Sequence, residues 1–153
     1  MHFMKRTLLF FAITLLLLQS CSMPESDIKQ IKFSPEIQSV IDRYKQELKP
    51  DDFQTSPGWI RFDTIIRHKV IVTLLSARNL PKTDNEQKEL ALRISADVYD
   101  QLINKEDFSE IEVIFQNMSG VLLKMKIRRN YLFTFGEIRQ FRQGDGLSLD
   151  GKE

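Results

Sequence analysis

The sequence predicts an α+β fold in which two helices pack on one face of an antiparallel sheet of about four to five strands. Two segments, 37–48 and 90–103, carry apolar residues at helical spacing, and each is followed by segments of alternating or β-branched residues. The chain has 153 residues, of which 42% are apolar and 28% charged, which is ordinary for one globular domain. We therefore assign residues 34–142 to a single domain, followed by a flexible C-terminal tail at 143–153.

The first twenty residues differ in composition from the rest of the chain. Lys5 and Arg6 precede an almost unbroken apolar run over residues 7–18, which is the layout of a secretory signal. As a helix this run would span about 18 Å, which is too short to cross a hydrocarbon core of about 30 Å. We expect residues 1–20 to be a signal peptide that is cleaved.

The run ends in Leu18-Gln19-Ser20-Cys21, which resembles the lipobox of bacterial lipoproteins. Leu18 and Ser20 match that motif, whereas Gln19 stands where a small residue is usual. The resemblance covers residues 1–21 and implies cleavage before Cys21, a lipid on its thiol, and acylation of the new amino group by a fatty acid such as palmitate. Ser22, where Asp would imply retention at the inner membrane, implies the outer membrane of the cell envelope, facing the periplasm or the cell surface.

Cys21 is the one cysteine of the chain. A lone thiol forms no internal disulfide, and exported proteins usually carry cysteines in pairs or none, so lipid attachment accounts for its presence. Each buried methylene of an acyl chain contributes about 0.8 kcal/mol, and a single chain holds a protein only reversibly. Stable anchoring at the membrane therefore requires more than one chain.

Residues 21–33 are predicted to be a lipidated flexible tether, because the polar stretch 24–27 has little to bury. Ser34-Pro35-Glu36 then has the form of a helix start, with a hydroxyl cap and a proline in the first position. The helix that follows ends before Pro50. Its apolar stripe consists of Ile37, Val40, Ile41, Tyr44 and Leu48.

The middle of the chain carries strand signals and one strong helix signal. After an expected turn at 56–58, residues 59–75 are either one long strand or two strands, and we favour two with the hairpin tip at 67–69. Thr83 and Glu86 have the spacing of a capping box, which predicts a helix from there to Asn104.

The last third of the domain reads as β structure. Residues 111–116 and 121–128 alternate around 117–120, which predicts a hairpin with one solvated face. We expect a further short strand over 131–135, after a bend at Arg129-Asn130, that stops at Gly136.

Few residues of the predicted domain are suited to catalysis. His68 is its one histidine, and Cys21 is taken up by lipid, so Cys–His catalysis and cysteine-based zinc sites are excluded. A Ser-His-Asp arrangement needs only one histidine, but no Gly-x-Ser-x-Gly motif is present. The glycine spacing does not fit a phosphate-binding loop, and no cofactor or metal site is predicted. Carboxylate pairs such as Asp97 and Asp100 are interpreted as solvated surface charge.

The net charge argues against a nucleic-acid partner. The chain has 22 Lys and Arg against 21 Asp and Glu, and loss of Lys5 and Arg6 with the signal leaves 20 against 21. A protein that neutralises phosphates needs a basic excess.

Basic residues nevertheless concentrate near the C-terminus, next to aromatic residues. One interpretation is the solvated face of an amphipathic hairpin. The other is a surface that binds an anionic partner, such as lipid headgroups, an acidic glycan or an acidic envelope protein. The candidate partner-binding residues are Lys124, Lys126, Arg128, Arg129 and Tyr131.

Together these features predict a membrane-anchored envelope lipoprotein that is a non-catalytic binding or interaction module. Two alternatives stay open, a small hydrolase acting on envelope material and a carrier of lipid or another hydrophobic ligand.

Overall fold

The computed structural model describes residues 28–119 and 125–144, which fold as one α+β unit. Its four strands form one sheet in which they are neighbours in chain order, which confirms the predicted α+β class and the lower of the predicted strand numbers. Cys21, Lys124 and residues 145–153 lie outside the described residues. In chain order the elements are α1 (Ile37–Leu48), β1 (Asp52–Phe62), β2 (Ile65–Leu75), α2 (Asp84–Gln101), a 3-10 turn (Lys105–Asp107), β3 (Glu110–Ser119), β4 (Met125–Thr134) and α3 (Phe135–Arg142).

The sheet is mixed, and the prediction of a purely antiparallel sheet is wrong. β1 with β2 and β3 with β4 are antiparallel, whereas β2 and β3 are parallel, with Val72 opposite Val113. Parallel neighbours need a crossover connection, and α2 provides it. At 18 residues this helix is about 27 Å long, enough to return the chain to the end of the sheet at which β2 begins.

The core lies between the helices and one face of the sheet. The side chains on that face come from alternate positions of each strand, as in Val70, Val72 and Leu74 of β2, all fully buried. α1 buries Val40, Tyr44 and Leu48 against it, as its apolar stripe predicts. α2 contributes more of the core than any other described helix, through Leu90, Ala91, Leu92, Ile94, Ala96 and Val98.

The two long helices begin differently at their N-termini. Thr83 forms the predicted capping box of α2: its hydroxyl accepts from the Glu86 N–H, and the Glu86 side chain accepts from the Thr83 N–H. Ser34 does not cap α1 as expected, because its hydroxyl donates to Gln101 Oε1 at 2.5 Å. The residue at the cap position of α1 is Glu36.

Two strands between residues 52 and 75 confirm the favoured interpretation, but their bounds differ from those expected. The hairpin tip is at Asp63 and Thr64 rather than at 67–69, and Asp63 takes the positive φ of 55° that a tight hairpin needs. The expected turn at 56–58 lies inside β1. Pro57 is tolerated there because β1 is an edge strand.

The end of the domain is helical, and residues 131–134 of the expected short strand over 131–135 belong to β4 rather than to a separate strand. β4 runs without a bend from Met125 to Thr134, and the chain then enters α3 directly. Thr134 and Glu137 form a second capping box at this junction. The sequence analysis missed this helix.

The segment before α1 is bound to the domain through residues 30–33. The flexible tether expected over residues 21–33 is therefore shorter than predicted. Asn104, after α2, donates through Nδ2 to the main-chain oxygen of Gln30 at 2.9 Å and accepts from the Lys32 N–H at 2.9 Å. Ile31 and Phe33 of the same segment pack on the core, which is the physical reason that the segment is held on the domain.

Candidate functional site

The three candidate partner-binding residues whose side chains the structure describes do not lie together on one surface. Lys124 is outside the described residues, and the Lys126 side chain is not described although its backbone belongs to β4. Successive strand residues point to opposite faces of a sheet. Arg128 therefore lies on the face away from the helices, and Arg129 and Tyr131 lie on the face that the helices cover.

Arg129 and Tyr131 contact the first turns of α2. The Tyr131 hydroxyl donates to Asp84 Oδ1 at 2.8 Å, and Arg129 Nη1 donates to Gln87 Oε1 at 3.0 Å. Burial, together with the nearby Asp84 carboxylate, raises the pKa of Tyr131, so its hydroxyl remains a donor. These two side chains hold α2 on the sheet.

Arg128 is the one candidate whose described side chain is exposed on the opposite sheet face. Its Nε donates to Asn130 Oδ1, two residues along the same strand, at 3.0 Å. The interpretation of this basic stretch as an amphipathic hairpin fits these contacts better than a continuous basic patch does.

A surface cleft of about 510 Å³ opens beside the N-terminal ends of β3 and α3, and the sequence analysis did not find it. It combines cationic, acidic and aromatic side chains from four parts of the chain. Lys105 lies over the ring of Tyr99, with Nζ 4.6 Å from the ring centroid. The residues that line the cleft include Arg67, Tyr99, Lys105, Glu110, Phe135 and Arg139.

Glu110 is the unusual residue of this cleft. It is 4% exposed, and its Oε1 lies 3.4 Å from Arg67 Nη1. Its Oε2 is buried and has no hydrogen-bond partner among the described residues. Buried polar atoms in proteins nearly always have a partner, because an unpaired one costs roughly 1–3 kcal/mol. This oxygen has less than 1 Å² of exposed surface, so a donor in the cleft reaches it only if neighbouring side chains move.

Glu112, two residues further along β3, differs from Glu110 in the hydrogen bonds that its carboxylate accepts. Its carboxylate accepts from Lys69 Nζ at 2.6 Å and from Asn130 Nδ2 at 2.8 Å. Both glutamates lie on the same face of the sheet, but only Glu112 has a close partner for each oxygen. The alternation of the strand predicts that face and does not distinguish the two residues.

The hairpin formed by β1 and β2 extends beyond the rest of the sheet. β3 pairs with β2 only from Lys69 onward, so residues 59–62 and 65–68 pair only with each other in the described structure. We call residues 59–68 the β1–β2 arm. Three of its large apolar residues are exposed, namely Trp59 at 38%, Ile65 at 60% and Ile66 at 40%.

A second cleft, of about 330 Å³, brings His68 close to Asp107 and Ser109. The residue types are those of a catalytic triad, but the contacts differ. The Ser109 hydroxyl donates to the main-chain oxygen of His68 at 3.3 Å, and Asp107 accepts from Asn104 and pairs with Lys29. A triad requires the serine and the carboxylate to bind opposite nitrogens of the imidazole ring, so this arrangement is not one.

Within residues 28–119 and 125–144, no group of three or more His, Cys, Asp or Glu side chains has the spacing of a metal site. None of the helices in these ranges is both long and apolar enough to cross a membrane. No protein-family model, curated protein or solved structure matches this chain.

Proposed function

We propose that this protein is a membrane-anchored lipoprotein of the bacterial cell envelope that acts as a non-catalytic binding module. The observation that carries the proposal is the lipobox-like sequence Leu18-Gln19-Ser20-Cys21 after an apolar run, with Cys21 as the one cysteine. The chain is bound to the domain from Gln30, nine residues after this cysteine, so a lipid at Cys21 would display the domain close to a bilayer.

The cleft around Glu110 is the proposed ligand site of this module. Arg67, Lys105 and Arg139 place three cationic groups around the cleft, which favours an anionic ligand. An acidic glycan is a ligand with that chemistry. Tyr99, a partly buried aromatic residue in the lining, adds an apolar contact surface.

The contacts favour neither alternative function. The hydroxyl of Ser109 binds a main-chain oxygen rather than the ring of His68, so the residues expected of a hydrolase are close but not aligned. A carrier of hydrophobic ligands needs space between sheet and helices, but there Val72, Ile94 and Val113 pack with no exposed surface. Both clefts described above open at the surface beside that interface.

Cell fractionation and photo-crosslinking test the proposal together. We expect the wild-type chain in the membrane fraction, and a chain in which a cleavable signal peptide without a lipobox replaces residues 1–21 in the soluble fraction, because that chain has no thiol to take the thioether-linked lipid. Recovery of both chains in the membrane fraction contradicts the anchor.

A photoreactive amino acid in place of Arg139 is then expected to crosslink an envelope component in living cells. The matched control is the same amino acid in place of Lys88, an exposed residue of α2 outside the cleft lining. Equal crosslinking from both positions, or none from position 139, contradicts a binding site in the cleft.

A further inference from the structure

We propose that the β1–β2 arm contacts the bilayer that carries the anchor, with Trp59, Ile65 and Ile66 at the level of the lipid headgroups. This inference rests on the proposed lipid attachment at Cys21. It assigns the arm one partner, a bilayer surface that contains anionic phospholipid headgroups.

The first support is the apolar surface of the arm. Trp59 and Ile66 lie on one face of the hairpin, and Ile65 lies on the other, so the arm presents apolar side chains on both faces near its tip. Exposed apolar groups that cluster in this way mark interaction sites. An indole combines an apolar ring with a polar N–H, which suits the boundary between headgroups and acyl chains.

The second support is the charge of the arm. Arg61 and Arg67 accompany the apolar residues, and Asp63 is the arm's one acidic residue. The Arg67 side chain is half exposed although its Nη1 lies 3.4 Å from Glu110 Oε1. Arg61 uses its Nε for the main-chain oxygen of Asp63 at 3.0 Å, a contact that does not neutralise its charge. Basic groups close to an anionic bilayer are attracted to its surface. Apolar and cationic side chains together match such a surface.

The third support is the place where the chain joins the domain. Asn104 fixes the backbone at Gln30 and Lys32, and Lys29 lines the same surface cleft as Ile66, Arg67 and His68 of the arm. Six residues lie between Cys21 and Ile28, and the seven steps from one Cα atom to the next span at most about 25 Å in a fully extended chain. A lipid on Cys21 therefore confines the base of the arm to within about that distance of the bilayer.

Trp59 is the one tryptophan of the chain, so its fluorescence reports on the arm without an added label. The lipidated full-length protein is reconstituted in phosphatidylcholine vesicles with and without phosphatidylglycerol, and with lipids brominated on the acyl chain near the headgroup. We expect emission at shorter wavelength than for the chain without residues 1–21 in solution, and strong quenching by the brominated lipid. Both effects should increase with phosphatidylglycerol.

Two variants separate the arm from the anchor. Ile65→Asp combined with Ile66→Asp is expected to reduce the quenching of Trp59 several-fold while the protein still floats with the vesicles. The matched control is Leu132→Asp, which changes an exposed apolar residue on β4, away from the arm, and should leave the quenching unchanged.

Trp59 that stays unquenched while the wild-type protein floats with the vesicles overturns the inference and leaves the anchor intact. A blue shift that depends on protein concentration and not on lipid also overturns it, since the arm would then pair with a second copy of the chain. Failure of the wild-type protein to float instead overturns the lipid anchor, and with it the bilayer contact inferred here.

Discussion

Asp97 shows how far a residue's role depends on contacts between distant parts of the chain. The sequence places it on the polar side of a helix, and we interpreted it as solvated charge. Its side chain is 14% exposed and accepts hydrogen bonds from Arg43, from the Tyr44 hydroxyl at 2.5 Å and from Arg142 at 2.6 Å. Asp97 of α2 thereby joins α1 and α3, a role that helical periodicity does not predict.

Tyr44 takes part in this junction as a donor. Burial, and then the hydrogen bond to Asp97, raise the pKa of Tyr44 above its ordinary value. The phenol is therefore protonated at neutral pH and supplies the hydrogen that the carboxylate accepts.

Replacement of Asp97 by alanine should destabilise the fold by about 2–3 kcal/mol, because it leaves two arginines and a buried phenol without their shared acceptor. Urea unfolding followed by circular dichroism measures the loss. Asp100→Ala is the matched control, since Asp100 lies on the same helix and pairs with Arg142 at a more exposed position, where an ion pair contributes at most about 1 kcal/mol. Equal losses for the two variants would show that Asp97 does not join the helices.

The candidate site was the least predictable part of the molecule at the scale of single residues. Alternation along β3 indicates that Glu110 and Glu112 share a face, but their different environments depend on Lys69, Asn130 and Arg67 from other strands. In the same way, Arg129 and Tyr131 were expected on a binding surface because the sequence does not show which face the helices cover.

Among the elements, those with a strong local signal were predicted correctly. α1 and α2 follow from their apolar stripes, and the capping box of Thr83 gives the start of α2. β1 begins earlier in the chain than predicted. Ser56-Pro57-Gly58 is typical of a turn and was therefore left out of the strand, but a proline is also allowed in an edge strand. Whether a strand lies at an edge is decided by the whole sheet.

The parallel pairing of β2 with β3 and the existence of α3 were both missed. An order of strand, long helix and strand is typical of a parallel crossover, and that signal was available between residues 65 and 119. α3 has only eight residues and weak apolar periodicity, but Thr134 and Glu137 have the capping-box spacing that predicts its start.

The cap of α3 gives a prediction at the scale of the element. Thr134→Ala removes the hydroxyl that accepts from the Glu137 N–H and should lower the free energy of unfolding by about 1 kcal/mol. Thr134→Ser keeps the hydroxyl and should retain most of the stability. Thermal or urea denaturation of the three proteins measures the difference, and an alanine variant as stable as the serine variant would contradict the role of the cap.

At the scale of the whole molecule, the proposals for the lipid anchor, the Glu110 cleft and the β1–β2 arm all concern one end of the domain. Arg67 belongs to the β1–β2 arm and lines both surface clefts, and Lys29, close to the point where the chain joins the domain, lines one of them. A lipid on Cys21 would hold this end near the bilayer. The ligand of the Glu110 cleft would then be bound close to the membrane surface.

The most direct test of this account is the intact mass of the mature protein purified from membranes, together with fragmentation of its N-terminal peptide. We predict a chain that begins at Cys21 and carries fatty acyl groups on its amino group and a lipid on its sulfur. A chain that still contains residues 1–20, or one in which the sulfur of Cys21 is unmodified, would contradict the account.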